Sequence, residues 1–253
     1  MRRRLGKSPA RPGAISLRFS EIFRAARLPT PPEVFGHESL VTDFGMLAND
    51  SYGDCVLAGA AHEHMIWTRE GSGTPAAFTD AGVLSDYAAI TGFDATRPET
   101  DQGTDMQVAA KYRQSIGVVD ASGTRHCIAA YMSLKAGDVD EIVLAAWLMG
   151  AAGFGMRFPS SAEDQFDSGK PWDVVPGDAI EGGHYVPVVG RVAGGNLVVV
   201  TWGRLQQVTP AFYEQFCDES VAYFSPEIVS PTKLSPEGFD AAALGQFLQE
   251  INQ

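Results

Sequence analysis

The sequence predicts an α+β fold. Runs with apolar residues at helical spacing dominate the first half of the 253 residues, and period-2 alternation takes over after His184. No apolar run approaches the roughly 20 residues that a membrane-spanning helix needs. Hydrophobic residues make up 45% and charged residues 20%, the balance of an ordinary globular protein. The length suits one large domain or two lobes sharing a cleft.

Residues 1–14 are rich in Arg, Pro and Gly and read as mobile chain. Residues 17–27 place Leu17, Phe19, Ile22, Phe23 and Ala26 at helical spacing, and Leu28-Pro29-Thr30-Pro31-Pro32 breaks that helix into extended chain. Residues 34–48 read as irregular wrapping. Asn49-Asp50-Ser51-Tyr52-Gly53 is a polar loop, and a helix begins at Cys55 with the Asp54 carboxylate as its N-cap. That helix is small-sided through Ala61 and runs to about Arg69, which places it in the interior. Further helices are expected at 80–91, at 106–116 with Gly117 as the stop, and at 138–149 behind Asp138. Strands are expected at 129–133 and 150–158, then a polar loop over 160–178. A hairpin pairs 184–191 with 196–201 through Val192-Ala193-Gly194-Gly195. A short helix at 209–216 and a strand at 220–224 follow. The tail from Ser225 ends in helical spacing near 239–251.

Charge is unevenly placed. Residues 1–32 balance at +7 and the remainder at −19, for a net charge of −12. So acidic a body argues against a nucleic-acid module. The basic arm can serve an acidic partner, RNA or its own body, or be a partly disordered tail. The Met1-Arg2-Arg3-Arg4 start is followed by no apolar segment, so no secretory signal is expected. Cys55, Cys127 and Cys217 are too few and too scattered for a disulfide framework and suggest a reducing, cytoplasmic setting. They stand in no ligand spacing, and Asp94, Asp101 and Asp105 match no calcium loop and read as solvated, so neither a metal nor another cofactor is expected.

Cys55 at the positive end of a buried helix is a candidate nucleophile, because that field favours the thiolate. A cysteine nucleophile needs a base, an oxyanion donor and a group that orients the base. His62 lies about 10 Å further along the same helix at 1.5 Å per residue, too far to reach the sulfur. His64 is further still, and His126 stands in a polar, loop-like setting. His184 follows Glu181-Gly182-Gly183, where two glycines leave room for an approaching group. It is the candidate base or, equally, a strand-edge histidine. Asn49 can aim its amide beside the Cys55 N–H at one oxygen, or merely form the turn.

In combination these motifs resemble the papain-like cysteine peptidases. Gly53-Asp54-Cys55-Val56 stands where that family has Gly-Ser-Cys-Trp, and Asn49 where it has its oxyanion Gln. His184 follows Cys55 by 129 residues, near the family's roughly 130–150. Gly183-His184-Tyr185-Val186-Pro187-Val188-Val189-Gly190 is similar to its His-Ala-Val-x-x-x-Gly strand, and Val199-Val200-Thr201-Trp202-Gly203 to the strand bearing Asn-Ser-Trp-Gly. Asp101-Gln102-Gly103 through Tyr112 and Gly117 resembles its Gly-Gly-x-x-x-x-Ala-x-x-Tyr helix. The 28–41 run resembles the Pro-x-x-Val-Asp-Trp start of mature enzymes. The resemblance covers about 30–226.

The resemblance implies a two-lobed fold: a helical lobe at about 33–125 with a central Cys-bearing helix, and an antiparallel β lobe at about 126–226. An arm at 1–32 would precede this domain and an extension at 227–253 would follow it. Cys55 and His184 would be the catalytic dyad, Asn49 the oxyanion donor and Trp202 the wall shielding the pair. The chain also departs from the pattern. Val200 takes the position of the orienting Asn, so the base is expected to lose its tether, with Thr201 facing the other way. Asn49 is shorter than Gln, Asp54 sets a charge beside the thiol, and Tyr52 removes a family cysteine. Thirty residues are too few for the family's inhibitory propeptide. Two readings stay open. One is a peptidase or amidase acting on a peptide or amide. The other is a weakened scaffold for binding or assembly, such as a virion component of a bacterial or phage-encoded branch. There the arm would lie across a protein partner or neighbouring subunit, in host cytoplasm or phage particle, with no membrane or nucleic-acid role.

Overall fold

The computed structural model describes residues 2–22 and 30–228. Residues 23–27 of the expected helix at 17–27 and all of that near 239–251 lie outside them. The described part of the first is α1, Phe19–Ile22. Then come β1 (Phe35–Gly36), α2 (Cys55–Ser72), α3 (Asp80–Thr91), α4 (Met106–Ser115) and a small hairpin of β2 (Val118–Val119) and β3 (Arg125–His126). The second half holds β4 (Ala130–Leu134), α5 (Val139–Met149), β5 (Ala152–Pro159), α6 (Ser161–Asp167), β6 (Ile180–Arg191), β7 (Leu197–Thr201), β8 (Arg204–Val208), α7 (Pro210–Phe216) and β9 (Cys217–Phe224). One antiparallel sheet runs β4-β9-β5-β6-β7-β8, and β1 adds to β6. This is the expected α+β architecture. No helix among the described residues is long and apolar enough to cross a membrane.

Alternation along the strands divides the interior into two cores. Tyr185, Val189, Val198, Val200 and Tyr223 face the core built with α2, α3 and α4. Val186, Val188, Val199 and Trp202 face the other, built with α5 and α7. Beyond the short β1 and the β2–β3 hairpin, two further elements were hidden in the sequence. In β8 only Gln206 and Val208 are buried, so this polar edge strand shows no apolar alternation. Within the stretch expected to be loop, α6 shows only Ala162 and Phe166 as an apolar i, i+4 pair. The strand β6 begins four residues before His184, because Gly182 and Gly183 are themselves part of the ladder.

Helix α2 is buried from Cys55 through Trp67. Its contact with β6 is close because Gly59 has no side chain: a Cβ there would stand 2.5 Å from the Tyr185 ring. One turn on, the fully buried Glu63 accepts from Tyr185 Oη at 2.5 Å and from Arg113 of α4 at 2.5 Å. The Arg113 guanidinium lies 4.1 Å from the centre of the Tyr223 ring. One carboxylate thus ties the central helix to a second helix and to the sheet. At the helix's far side His64 and His126 hold the two oxygens of Glu227 at 2.7 Å and 2.6 Å, fastening the 3-10 turn Pro226–Ile228.

Removing one partner of a buried ion pair strands the other charge. Arg113→Met is therefore expected to lower the unfolding free energy by about 3–5 kcal/mol in chemical denaturation. Adding Glu63→Gln should recover a large part. Parent-like stability of Arg113→Met would show that the pair is not what joins these elements.

Candidate active site

Cys55 opens α2 and is 1% exposed. The loop before it is tight and strained: Leu47 and Ala48 hold φ of 54° and 65°, a region that side chains disfavour. That turn delivers Asn49 into the interior, where its Nδ2 donates to Asp54 Oδ1 at 3.0 Å. The Asp54 carboxylate thus makes no cap hydrogen bond, contrary to the N-cap role expected of it; only its backbone carbonyl caps the helix, accepting from Leu57 at 2.8 Å and Ala58 at 3.0 Å. Complete burial pushes the Asp54 carboxyl up to about 8. At neutral pH it is mostly protonated, so the expected negative charge beside the thiol is largely absent.

His184 is fully buried on β6. Its Nε2 lies 2.8 Å from Thr201 Oγ1, at the end of β7. The expected loss of the tether is thus corrected. Thr201 shares a sheet face with His184, while Val200 turns into the opposite core. A register one residue off the family's motif exchanges the two faces. Trp202, at φ 47° in the β7–β8 turn, stacks on the imidazole with ring centres 4.7 Å apart and planes 19° from parallel. The imidazole Nδ1 has no hydrogen-bond partner among the described residues. Around Cys55 Sγ the backbone N–H groups of Tyr185, the residue after His184, and of Gly6 favour the anion, but burial dominates and pushes the thiol up to about 12. Burial likewise lowers His184 to about 3. At rest Cys55 is therefore a neutral thiol and His184 a neutral imidazole. The expected standing thiolate is absent, because desolvation outweighs the helix field.

The other histidines are engaged elsewhere. His62 Nε2 meets the Gly45 carbonyl at 3.1 Å, and burial lowers it to about 4. His37 bonds Glu70 and the Trp147 carbonyl. His64 and His126 share Glu227. Cys217 contacts Ser220 Oγ at 3.1 Å, and Cys127 is half-buried.

The start of the N-terminal arm, around Gly6, lies against the sulfur, and its main chain is bonded to the body rather than free as expected. Lys7 N–H donates to the Gly183 carbonyl at 2.9 Å, Thr104 N–H to Gly6 O at 2.6 Å, and Ser8 N–H to Thr104 O at 3.0 Å. These bonds form a parallel bridge between Lys7 and Thr104. Gly6 passes so near Gly53 that a Cβ on Gly6 would overlap the Gly53 backbone. The arm's cations meet acids of the body. Arg2 pairs with Glu181, Arg3 with Glu163 and Asp167, Arg4 with Asp101, Lys7 with Asp218 and Arg11 with Asp105. Arg3 also lies 4.9 Å above the Trp202 ring. Asp101, far from solvated, accepts from Gly53 N–H and Tyr87 Oη as well. The arm's described part thus lies on its own body, with Gly6 beside the Cys55 sulfur.

No family model matches the sequence, and no curated protein does. Solved structures do match. Xylellain, a cysteine protease from Xylella fastidiosa, aligns at TM-score 0.64 and 13% identity over 89% of this chain and 98% of its own. The proCathepsin B S9 of Trypanosoma congolense aligns at 0.61 and 13%, over 87% and 86%. Procathepsin L 3 from the larval midgut of Tenebrio molitor aligns at 0.60 and 12%, over 79% and 72%. The chain has the papain-like fold.

With its thiol at about 12, Cys55 should resist iodoacetamide in the intact chain at pH 8, as read by peptide mass spectrometry. Labelling should rise about tenfold per pH unit above that, since only the thiolate reacts. Rapid labelling of Cys55 at pH 7 would contradict its burial beneath the arm.

Proposed function

We propose that the chain is a cysteine peptidase or amidase held closed by its own N-terminal arm. The observation that carries this reading is the His184–Thr201 bond beneath Trp202, which leaves Nδ1 unpartnered on the residue before Tyr185, whose N–H faces the Cys55 sulfur. When Thr201 Oγ1 accepts from Nε2–H, the imidazole lone pair sits on Nδ1. With the arm displaced, Nδ1 takes the Cys55 proton and the sulfur adds to the carbonyl carbon of a peptide or amide. The oxyanion is met by the Cys55 N–H, which as a first-turn group has no intrahelical acceptor, and by the second N–H of the Asn49 amide, whose first serves Asp54. The imidazolium then gives its proton to the departing amine nitrogen. Water, deprotonated by the same Nδ1, cleaves the thioester and restores thiol and imidazole.

The second reading is a permanently closed scaffold, and the neutral, buried pair favours it. A phage particle is one setting for such a scaffold, and there the arm's seat would be structural. The two readings differ once the arm leaves.

Lys7→Glu with Arg11→Glu sets like charges against Asp218 and Asp105 and should expel the arm. Cys55 should then label near neutral pH, and a mixed fluorogenic peptide library should be hydrolysed, with no activity in Cys55→Ala. Labelling without hydrolysis of any peptide or amide would leave only the scaffold. In the open form Thr201→Val should lower kcat by roughly 10–100-fold, part of the about 10²–10⁴ that a positioned base contributes. An unchanged kcat would remove Thr201 from the site.

A further inference from the structure

His64 lies about 13 Å further along α2 than Cys55 at 1.5 Å per residue, well away from the sulfur. There it meets His126 of β3 and Glu227 of the turn Pro226–Ile228. One donor atom from each of the three lies within 4.8 Å of the others. His64 Nδ1 is 2.7 Å from Glu227 Oε2, and His126 Nδ1 is 2.6 Å from Glu227 Oε1. The Trp67 and Phe78 rings pack against the two imidazoles, with centres 4.8 Å and 5.6 Å away, and fix their planes. Both histidines are buried, but the Glu227 side chain is 25% exposed, which leaves one approach for an ion and a water.

Protons alone satisfy this cluster poorly. His126 faces a carboxylate on each nitrogen, Glu227 on Nδ1 and Asp120 on Nε2 at 3.2 Å. Whichever nitrogen carries the single proton of a neutral imidazole, the other turns its lone pair on an anion. A cation is needed there: a second ring proton, or a metal ion that takes Nδ1 and the Glu227 carboxylate together. His64 can join such an ion at little cost. Its Nε2 has no hydrogen-bond partner among the described residues, so its proton can move there and free Nδ1 without breaking a bond.

We propose that His64 Nδ1, His126 Nδ1 and the Glu227 carboxylate form a binding site for a divalent first-row transition metal, Zn²⁺ above all, with water as fourth ligand. Two imidazoles and one carboxylate suit zinc, whereas calcium and magnesium take sets of oxygens. Zinc bonds of roughly 2.0–2.2 Å at tetrahedral angles set neighbouring ligand atoms about 3.4 Å apart, so the present contacts would open by about 0.7 Å. Asp120 would keep the His126 Nε2–H and orient the ring from behind the ion. The ion would clip the turn Pro226–Ile228 to α2 and β3. The ligands come from three distant segments in no motif spacing, which is why the sequence does not show the site. The site stands apart from Cys55 and does not depend on the peptidase reading.

The test strips the full chain of metal with a chelator and titrates Zn²⁺ in competition with a colorimetric zinc chelator. One equivalent should bind, and excess Ca²⁺ or Mg²⁺ should not displace it. Glu227→Gln, His64→Gln and His126→Gln should each weaken binding by at least about a hundredfold, and Asp120→Asn by about 10–100-fold. Cys127→Ser, next to His126, should leave it unchanged. Co²⁺ should give the d–d bands of a tetrahedral site without thiolate charge transfer. A second readout compares each protein with itself, so that a variant's lower basal stability drops out. Zn²⁺ should raise the unfolding midpoint of the parent and not that of Glu227→Gln. Absence of one-to-one binding at micromolar concentrations overturns the proposal. So does binding that survives Glu227→Gln or is lost with Cys127→Ser.

Discussion

The position of Cys55 relative to β6 depends on one contact, that of helix α2 with strand β6 through Tyr185. Gly59 admits the Tyr185 ring and Glu63 accepts its hydroxyl, so the strand is pinned to the helix by shape and by a buried hydrogen bond. The N–H of Tyr185 then faces the Cys55 sulfur. Because strand side chains alternate, the residue before it points into the other core, where His184 meets Thr201 and Trp202. The sulfur of α2 and the imidazole of β6 thus both relate to adjacent residues of one strand, Tyr185 and His184. Arg113 supports this arrangement from behind by compensating the Glu63 charge.

The same strand receives the arm. Gly183 offers its carbonyl to Lys7, and a Cβ at Gly183 would stand 2.2 Å from the Lys7 carbonyl oxygen. The charge asymmetry of the sequence is resolved here: five arm cations meet acids around the cleft. Exposed pairs of this kind contribute little individually, but the Lys7 side chain is enclosed and the arm's main chain is hydrogen-bonded to Gly183 and Thr104. Burial, which removes water from both titratable groups, explains why a thiol at a helix start is pushed up to about 12 and the His184 imidazole down to about 3.

Much of the architecture was legible because it follows periodicity. The helix starting at Cys55, the one at Asp80–Thr91 and the hairpin of β6 and β7 all carry their pattern openly. The polar edge strand β8 and the short α6 carry almost none. At the site, Cys55, His184, Asn49 and Trp202 stood out by residue type and order. Thr201 did not, since motif matching put Val200 in its place, and only the face shared with His184 separates the two. A strand-parity argument from His184, Val186 and Val188 against Val199 and Thr201 could have found it. The helix field at Cys55 was legible, but the desolvation that overrides it was not, because it comes from packing by segments remote in sequence. The arm's basic charge hinted at an acidic seat without saying that the seat was the cleft.

The central claim is that Cys55 and His184 form one proton-sharing pair beneath the arm. Imidazole nitrogen NMR on the arm-expelled chain, with and without Cys55→Ala, tests it most directly. The account predicts that His184 in the closed parent is neutral with its proton on Nε2 across pH 5–8. In the open form its nitrogen shifts should titrate together with the thiol and change when Cys55 is replaced. An imidazole whose tautomer and titration are indifferent to Cys55→Ala would contradict it.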